Sequence, residues 1–375
     1  RPLSVVRELL DNALDADSRR VEVHVEGGGV AAVRVVDDGC GMPREDLELC
    51  WQRHATSKIR EEADLYRVRS LGFRGEALAS IGACSRLQIV SRPPDAEGHR
   101  LRVSGGELVD LEPCQAAPGT VAAATDLFFN LPARRRFLKS VGSETAGCRQ
   151  AFVEKALAHP GVAFRMFVDG SLRHFFPPGE LRDRVAAVLA LEAEHLYALQ
   201  TEGPGFRLAV VAGRPELSRA DRRLIQVYVN RRRIGEYALV QAAEYAYAQY
   251  LPGGRFPVVL VFAEMDAEQV DFNVHPAKRE ARFRDLPALR HGLVEVLRVF
   301  LGSFGLRGPS ADRQGQELSL PLAPPPSEPS GPPARPFTAT NRAAAPVSAA
   351  AERPAPEQAS RPRYRGQLFD LFLLV

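Results

Sequence analysis

Residues 21–39, VEVHVEGGGVAAVRVVDDG, alternate apolar and polar side chains on either side of three consecutive glycines. Period-two alternation broken by glycine is the pattern of a hairpin with one buried face. Immediately before it, RPLSVVRELLDNALDAD places apolar residues at Val5, Val6, Leu9, Leu10, Ala13 and Leu14, the recurrence of a helix. The first unit is therefore helix, strand, strand. SRLQIVSR, HRLRVSGG and GTVAAATDLF read as further strands, ETAGCRQAFVEKALAH as a helix, and VAFRMFVDG with SLRHFF as a closing hairpin. Over residues 1–181 this predicts helices on one face of a mainly antiparallel sheet, an α+β arrangement.

A new set begins at residue 182: helix LRDRVAAVLA, then strands FRLAVVAG, LIQVYVN and FPVVLVFAEM, with helix YALVQAAEYAYAQY between the last two. The strand-helix-strand order predicts a second, smaller α/β domain over 182–307. From Gly308 the chain turns to Pro, Ala, Ser and Gln, a composition that cannot offset its ordering entropy by burial, so 308–366 is expected to be a flexible linker. The apolar QLFDLFLLV at 367–375 reads as the first strand of a further domain. A chain that opens inside a helical pattern and closes this way is expected to be part of a longer one. With 375 residues, 45% hydrophobic and 25% charged, it can bury more than one core. Lys plus Arg outnumber Asp plus Glu by 49 to 46, too small a surplus to argue for nucleic acid without clustering. Cys40, Cys50, Cys84, Cys114 and Cys148 are scattered with no C-x-x-C pair, which indicates neither a disulfide framework nor a zinc site and fits a reducing cytoplasm. No apolar run approaches the roughly 20 residues of a membrane span.

Three stretches carry candidate chemistry. On the opening helix Ser4, Glu8, Asp11 and Asp15 fill the arc opposite the apolar stripe, with Asn12 at the seam. This is either a solvated face or a metal and nucleotide site, since Mg²⁺ takes oxygen ligands and few of them need come from protein. In VVDDGCGM a strand ends on Asp37 and continues through Gly39 and Gly41. It is either an ordinary turn or a carboxylate that accepts from a base amine while glycines let the backbone approach. In SLGFRGEALASI, Gly72, Arg74 and Gly75 precede a helical pattern, giving a glycine entry or an anion site at a helix start. Between the last two, RHATSKI supplies Thr56, Ser57 and Lys58 in a segment able to act as a lid. Neither G-x-x-x-x-G-K-[ST] nor a strand followed by G-x-G-x-x-G occurs, so a nucleotide reading requires another fold.

The ordered set VVRELLDNALDA, VVDDGCGM, RHATSKI, LGFRGEALASI, GTVAAATDLFFNLPARRRFL and VDFNVHPAKREARF resembles the motifs of the MutL family of DNA mismatch repair ATPases, within the GHKL class, from residue 1 to about 300. The resemblance implies a GHKL (Bergerat) ATPase α/β sandwich followed by a ribosomal S5 domain 2-type α/β domain, with ATP and Mg²⁺ as cofactors. It implies that Glu8 polarises the attacking water, Asn12 coordinates Mg²⁺ and Asp37 binds the adenine amino group close to Gly39 and Gly41. Thr56, Ser57 and Lys58 match the ATP lid, Gly72, Phe73, Arg74 and Gly75 the phosphate loop, and Thr120 a threonine beside the adenine pocket. Lys278 matches a lysine reaching from the second domain to the γ-phosphate. Asp38 stands where Asn is frequent, and the segment that in the family precedes RPLSVV and joins the ATP-bound dimer contact is lacking. Two basic groups, Arg134, Arg135, Arg136 and Lys139, and Arg231, Arg232 and Arg233, are candidates for DNA contact. The implied partners are DNA, a MutS-like mismatch-recognition protein, a second copy through the N-terminal domains and a missing C-terminal domain, and a sliding clamp through QLFDLF. A membrane is not among them, and a bacterial cytoplasmic setting is expected. The competing readings are a nucleic-acid-binding scaffold with a vestigial pocket and another GHKL ATPase such as a type II topoisomerase subunit.

Overall fold

The computed structural model describes residues 1–52, 77–272 and 281–304. The described residues fall in one compact unit, 1–312, while a second unit, 313–375, lies outside them. Also outside are the expected lid and glycine loop (53–76), the segment with Lys278 (273–280), and the expected linker and terminal strand (305–375).

Helix α1 (Pro2–Asp15) begins with proline in its first turn, where no backbone donor is needed, and ends before Asp17, whose φ of 57° leaves helical space. Its stripe buries Val5, Val6, Leu9, Leu10 and Ala13. The hairpin forms as the alternation predicts: β1 (Arg20–Glu26) and β2 (Ala32–Asp37) pair antiparallel from Val21↔Asp37 to Glu26↔Ala32 across the Gly27–Gly29 turn. To them are added β3 (Arg86–Arg92), β4 (Gly98–Ser104), β5 (Glu107–Cys114), β6 (Gly119–Thr125), β7 (Ala163–Val168) and β8 (Ser171–Phe176). The eight strands lie in the order β5-β4-β3-β6-β2-β1-β7-β8, antiparallel throughout except that β7 runs parallel to β1. Helices α2 (Arg44–Cys50), α3 (Ala77–Ala83), α4 (Pro132–Arg136) and α5 (Val141–Ala158) complete this part. Leu47 of α2, Ile81 of α3 and Phe152 of α5 share one core with the α1 stripe and with Val21, Val23, Val33, Val35 and Ile89 of the sheet. At roughly 1.5–3 kcal/mol per buried aliphatic side chain, this single covered face is what holds α1 in place.

The second set is a five-stranded sheet in the order β12-β11-β13-β10-β9, built from β9 (Leu196–Gly203), β10 (Phe206–Gly213), β11 (Ile225–Val229), β12 (Arg232–Ile234) and β13 (Val259–Met265). β11 and β13 are parallel and α7 (Tyr237–Tyr247) connects them, as the strand-helix-strand order predicts. α7 and α8 (Leu286–Gly302) cover one face. α8 starts where the Asp285 side chain accepts from Ala288 N at 2.9 Å. A two-stranded ribbon, β14 (Val270–Asp271) and β15 (Arg282–Phe283), lies between β13 and α8 in sequence. On the other face α6 (Leu181–Leu189) packs with Leu157 and Ala158 at the end of α5 against Val211 and Leu260. Arg184 of α6 is buried and donates to five main-chain carbonyls, those of Ala156, His159, Pro160, Val162 and Pro177. This one guanidinium ties the end of α5 and the β8–α6 connection to the start of the second set.

Candidate nucleotide-binding site

The polar arc of α1 is not a solvated face. Glu8, Asn12 and Asp15 are half-buried, Asp11 is buried at 8% exposure, and only Ser4 of that arc is exposed. Asp11 makes an ion pair with Lys155 of α5, itself 8% exposed. A buried pair of this kind is not a large net stabiliser, but removing one partner leaves a buried charge unpaired.

The last turn of α1, which carries Asn12, is linked to the Asp37 loop through Ala16 and Ser18, which follow the helix. Asn12 O accepts from Ala16 N, and Ala16 O accepts from Cys40 N at 3.0 Å. Ser18 Oγ shares its one proton between Ala13 O at 2.6 Å and Asp37 Oδ1 at 3.3 Å, and Asp37 Oδ1 also accepts from Gly39 N at 2.9 Å. Burial pushes the Asp37 carboxyl above the ordinary aspartate value, against the lowering effect of donors from Gly39, Ser18 and Thr120. Both glycines are required by close approach. A Cβ on Gly39 would lie 2.6 Å from Ala16 O, and Gly41, at φ 69°, has the Arg92 carbonyl where its Cβ would be. Asp38 faces the other way, and its Oδ1 accepts from Arg19 N and Arg20 N, each at 2.8 Å, which fixes the entry to β1.

Thr120 stands opposite Asp37 in the β2–β6 pairing and opposite Ser91 in the β3–β6 pairing, so the three residues share one end of the sheet. Ser91 Oγ lies 2.8 Å from Thr120 Oγ1 and accepts from Met42 N at 2.8 Å, which draws the loop after Gly41 onto the same end. Of the expected site residues, Glu8, Asn12, Asp37, Gly39, Gly41 and Thr120 are therefore carried by one bonded cluster of α1, the Asp37 loop and the neighbouring strands. Thr56, Ser57, Lys58, Gly72, Phe73, Arg74, Gly75 and Lys278 lie outside the described residues. Sequence reasoning missed Ser18 and Ser91; the signal was a serine two residues past the helix cap and another next to last in an alternating strand.

The two basic groups differ. Arg134, Arg135, Arg136 and Lys139 are exposed on and after α4, beside Phe137 at 86% exposure. Arg231 is exposed in the tight turn between β11 and β12, where Asn230 and Arg231 both take positive φ. Arg233 instead pairs with Glu154 of α5 at 2.8 Å. Arg232 is half-buried over the Phe272 ring at 5.1 Å. Burial lowers its guanidinium, while the charges of Asp11, Asp15 and Glu8 hold it up. These two side chains are turned to acids of the same chain. Among the described residues no helix is long and apolar enough to cross a membrane.

Comparison with known proteins agrees with this architecture. Residues 1–103 match the model of the histidine kinase-, DNA gyrase B- and HSP90-like ATPase family, and residues 187–302 match the C-terminal domain model of DNA mismatch repair proteins. The DNA mismatch repair protein MutL of Symbiobacterium thermophilum is 44% identical over 307 residues, 81% of this chain and 48% of that protein. MutL of Acidiphilium cryptum is 41% identical over 305 residues, 81% of this chain and 52% of that protein. The chain thus spans about half the length of the curated relatives it matches. The solved Aquifex aeolicus MutL ATPase domain complexed with ADP superimposes with a TM-score of 0.55 at 28% identity, covering 71% of this chain and 92% of that one. The two family matches fall in order on the two sheets, and on that agreement of sequence and fold the chain belongs to the MutL family of DNA mismatch repair proteins.

Proposed function

We propose that this chain is the nucleotide-driven part of a mismatch repair protein. It binds ATP with Mg²⁺, hydrolyses it slowly, and uses the bound state to join two copies through their N-terminal regions and engage DNA. The observation that carries this reading is the bonded closure of the Asp37 loop onto the turn of α1 that bears Asn12, with Ser91 and Thr120 alongside. The similar Aquifex aeolicus domain was solved with ADP, which supports a nucleotide here.

In this reading Asp37 accepts from the adenine amino group, its orientation fixed by Ser18 and Gly39, and Thr120 lies beside the base. Glu8 and Asn12, one turn apart on a half-buried face, offer the oxygen donors that Mg²⁺ prefers. Asn12 would hold the ion, which when bound supplies positive charge against the phosphate oxygens. Glu8 takes the proton from the attacking water. Thr56, Ser57 and Lys58 act as a lid, Gly72, Phe73, Arg74 and Gly75 present backbone donors to the phosphates, and Lys278 neutralises the γ-phosphate. DNA lies along Arg134, Arg135, Arg136 and Lys139. In the longer protein a MutS-like partner and a sliding clamp are engaged in the bacterial cytoplasm.

The test is MgATP binding by the chain and by Asp37→Asn. The substitution keeps the acceptor for Gly39 N and removes the charge-assisted bond to the base. Loss of about 1.5–3 kcal/mol corresponds to affinity lower by roughly tenfold or more, with the fold retained by circular dichroism. Equal affinity of the two proteins would remove Asp37 from the base contact.

A further inference from the structure

The two sheets are joined by an ion-pair bridge that ends beside Glu8. Glu154 of α5 takes Arg233 of β12 through Oε1 at 2.8 Å and Arg7 of α1 through Oε2 at 3.4 Å. One carboxylate thus holds a cation from each sheet's structure. Gln150 Nε2 adds a bond to Oε1 at 3.1 Å and fixes its rotamer. The Glu154 side chain is 14% exposed and its arginine partners 28% and 31%, so solvent screens the bridge less than a surface pair. The next residue of α5, Lys155, makes the buried pair with Asp11.

The spacing has a consequence for α1. Arg7 immediately precedes Glu8, and Asp11 follows it by about one turn, so consecutive residues of α5 grip α1 on both sides of the proposed base. A shift of β12 that pulls Arg233 from Glu154 changes how that carboxylate is shared with Arg7, and the change is delivered at the residue next to Glu8. Arg232, which stacks on Phe272 one residue before Arg233, would move with it. We infer that Glu154 is a positioning residue: it transmits the place of the β12 hairpin to α1 and thereby sets Glu8 for hydrolysis. The inference rests on the ATPase reading above.

The test uses Glu154→Gln, which keeps the shape and loses the charge, Arg233→Met, the double variant, and Arg233→Lys as the conservative rescue. Two readouts are taken: kcat and KM for MgATP, and amide hydrogen exchange of α1 in the nucleotide-free protein. The expected result is kcat lower by about tenfold in each single variant with KM within about twofold, and a double variant no worse than either. Arg233→Lys recovers most of the rate, and α1 exchanges faster wherever the bridge is cut. Unchanged kcat, losses that multiply in the double variant, or unchanged α1 exchange overturns the inference. If the unsubstituted protein does not hydrolyse ATP, the ATPase reading fails by itself, and α1 exchange alone then decides whether the bridge holds the helix.

Discussion

His159 closes α5 as a buried imidazole whose Nδ1 lies 3.1 Å from Lys155 O. Burial pushes its pKa down from 6.5 to about 4. The unfolded chain takes up a proton near 6.5 that the folded protein refuses until about 4, so this contribution is full above the unfolded value and is lost as pH falls between the two. Urea unfolding at several pH values checks this. The unsubstituted protein should lose about 2–3 kcal/mol more than His159→Asn across that window. Parallel curves for the two proteins would show that His159 is not the group concerned. Asp37 has the opposite shift, raised by burial. Its ionised form therefore weakens the fold as pH rises through the acid range, a local disadvantage consistent with a residue kept for binding.

Among the helices and strands, the junction at the start of α6 depends on one side chain, Arg184. Its five carbonyl partners come from the end of α5, the turn after it and the β8–α6 connection, and among the described residues no carboxylate joins them. Burial lowers the guanidinium to about 10. Arg184→Met should cost about 3–5 kcal/mol, since the acceptors are left buried without donors, and thermal melting measures it. A melting point within about 2 °C of the unsubstituted protein would contradict this role. Among the elements legible in the sequence, α1 and the β1–β2 hairpin bury one face on an unbroken period, whereas β11 and β13 are covered on both faces and read as short apolar runs. β5 was not legible, because it is an edge strand that pairs only with β4 and leaves Leu108 and Val109 about half exposed. α4 has five residues and no buried side chain, so it carries no stripe at all. The use of the polar arc of α1 could not be read locally either. What covers Asp11 and Arg7 are Lys155 and Glu154, and the Arg7–Glu154 pair spans 147 residues of chain. The glycines of the Asp37 loop were legible as positions, but that they answer to Ala16 and Arg92 rather than to a ligand alone needs the fold.

Across the protein, the basic residues divide by their neighbours. Arg134, Arg135, Arg136 and Lys139 are exposed together, whereas Arg233 is committed to Glu154. If the first group contacts single-stranded DNA phosphates, replacing all four with alanine should reduce the slope of log affinity against log salt by about 3, at roughly 0.7 per contact. Arg233→Met should leave that slope unchanged, and the reverse pattern would move the DNA path to β12. The functional reading turns on α1 holding both the water-activating group and the metal ligand of a single MgATP site closed by the Asp37 loop. Single-turnover hydrolysis of MgATP, measured beside equilibrium binding for Glu8→Ala and Asn12→Ala, separates those two roles. Glu8→Ala is expected to bind MgATP as the unsubstituted protein does and to turn over slower by about 10²-fold or more, while Asn12→Ala loses the Mg²⁺-dependent part of binding. Turnover by Glu8→Ala at the unsubstituted rate, with Mg²⁺-dependent binding intact in Asn12→Ala, would be incompatible with such a site.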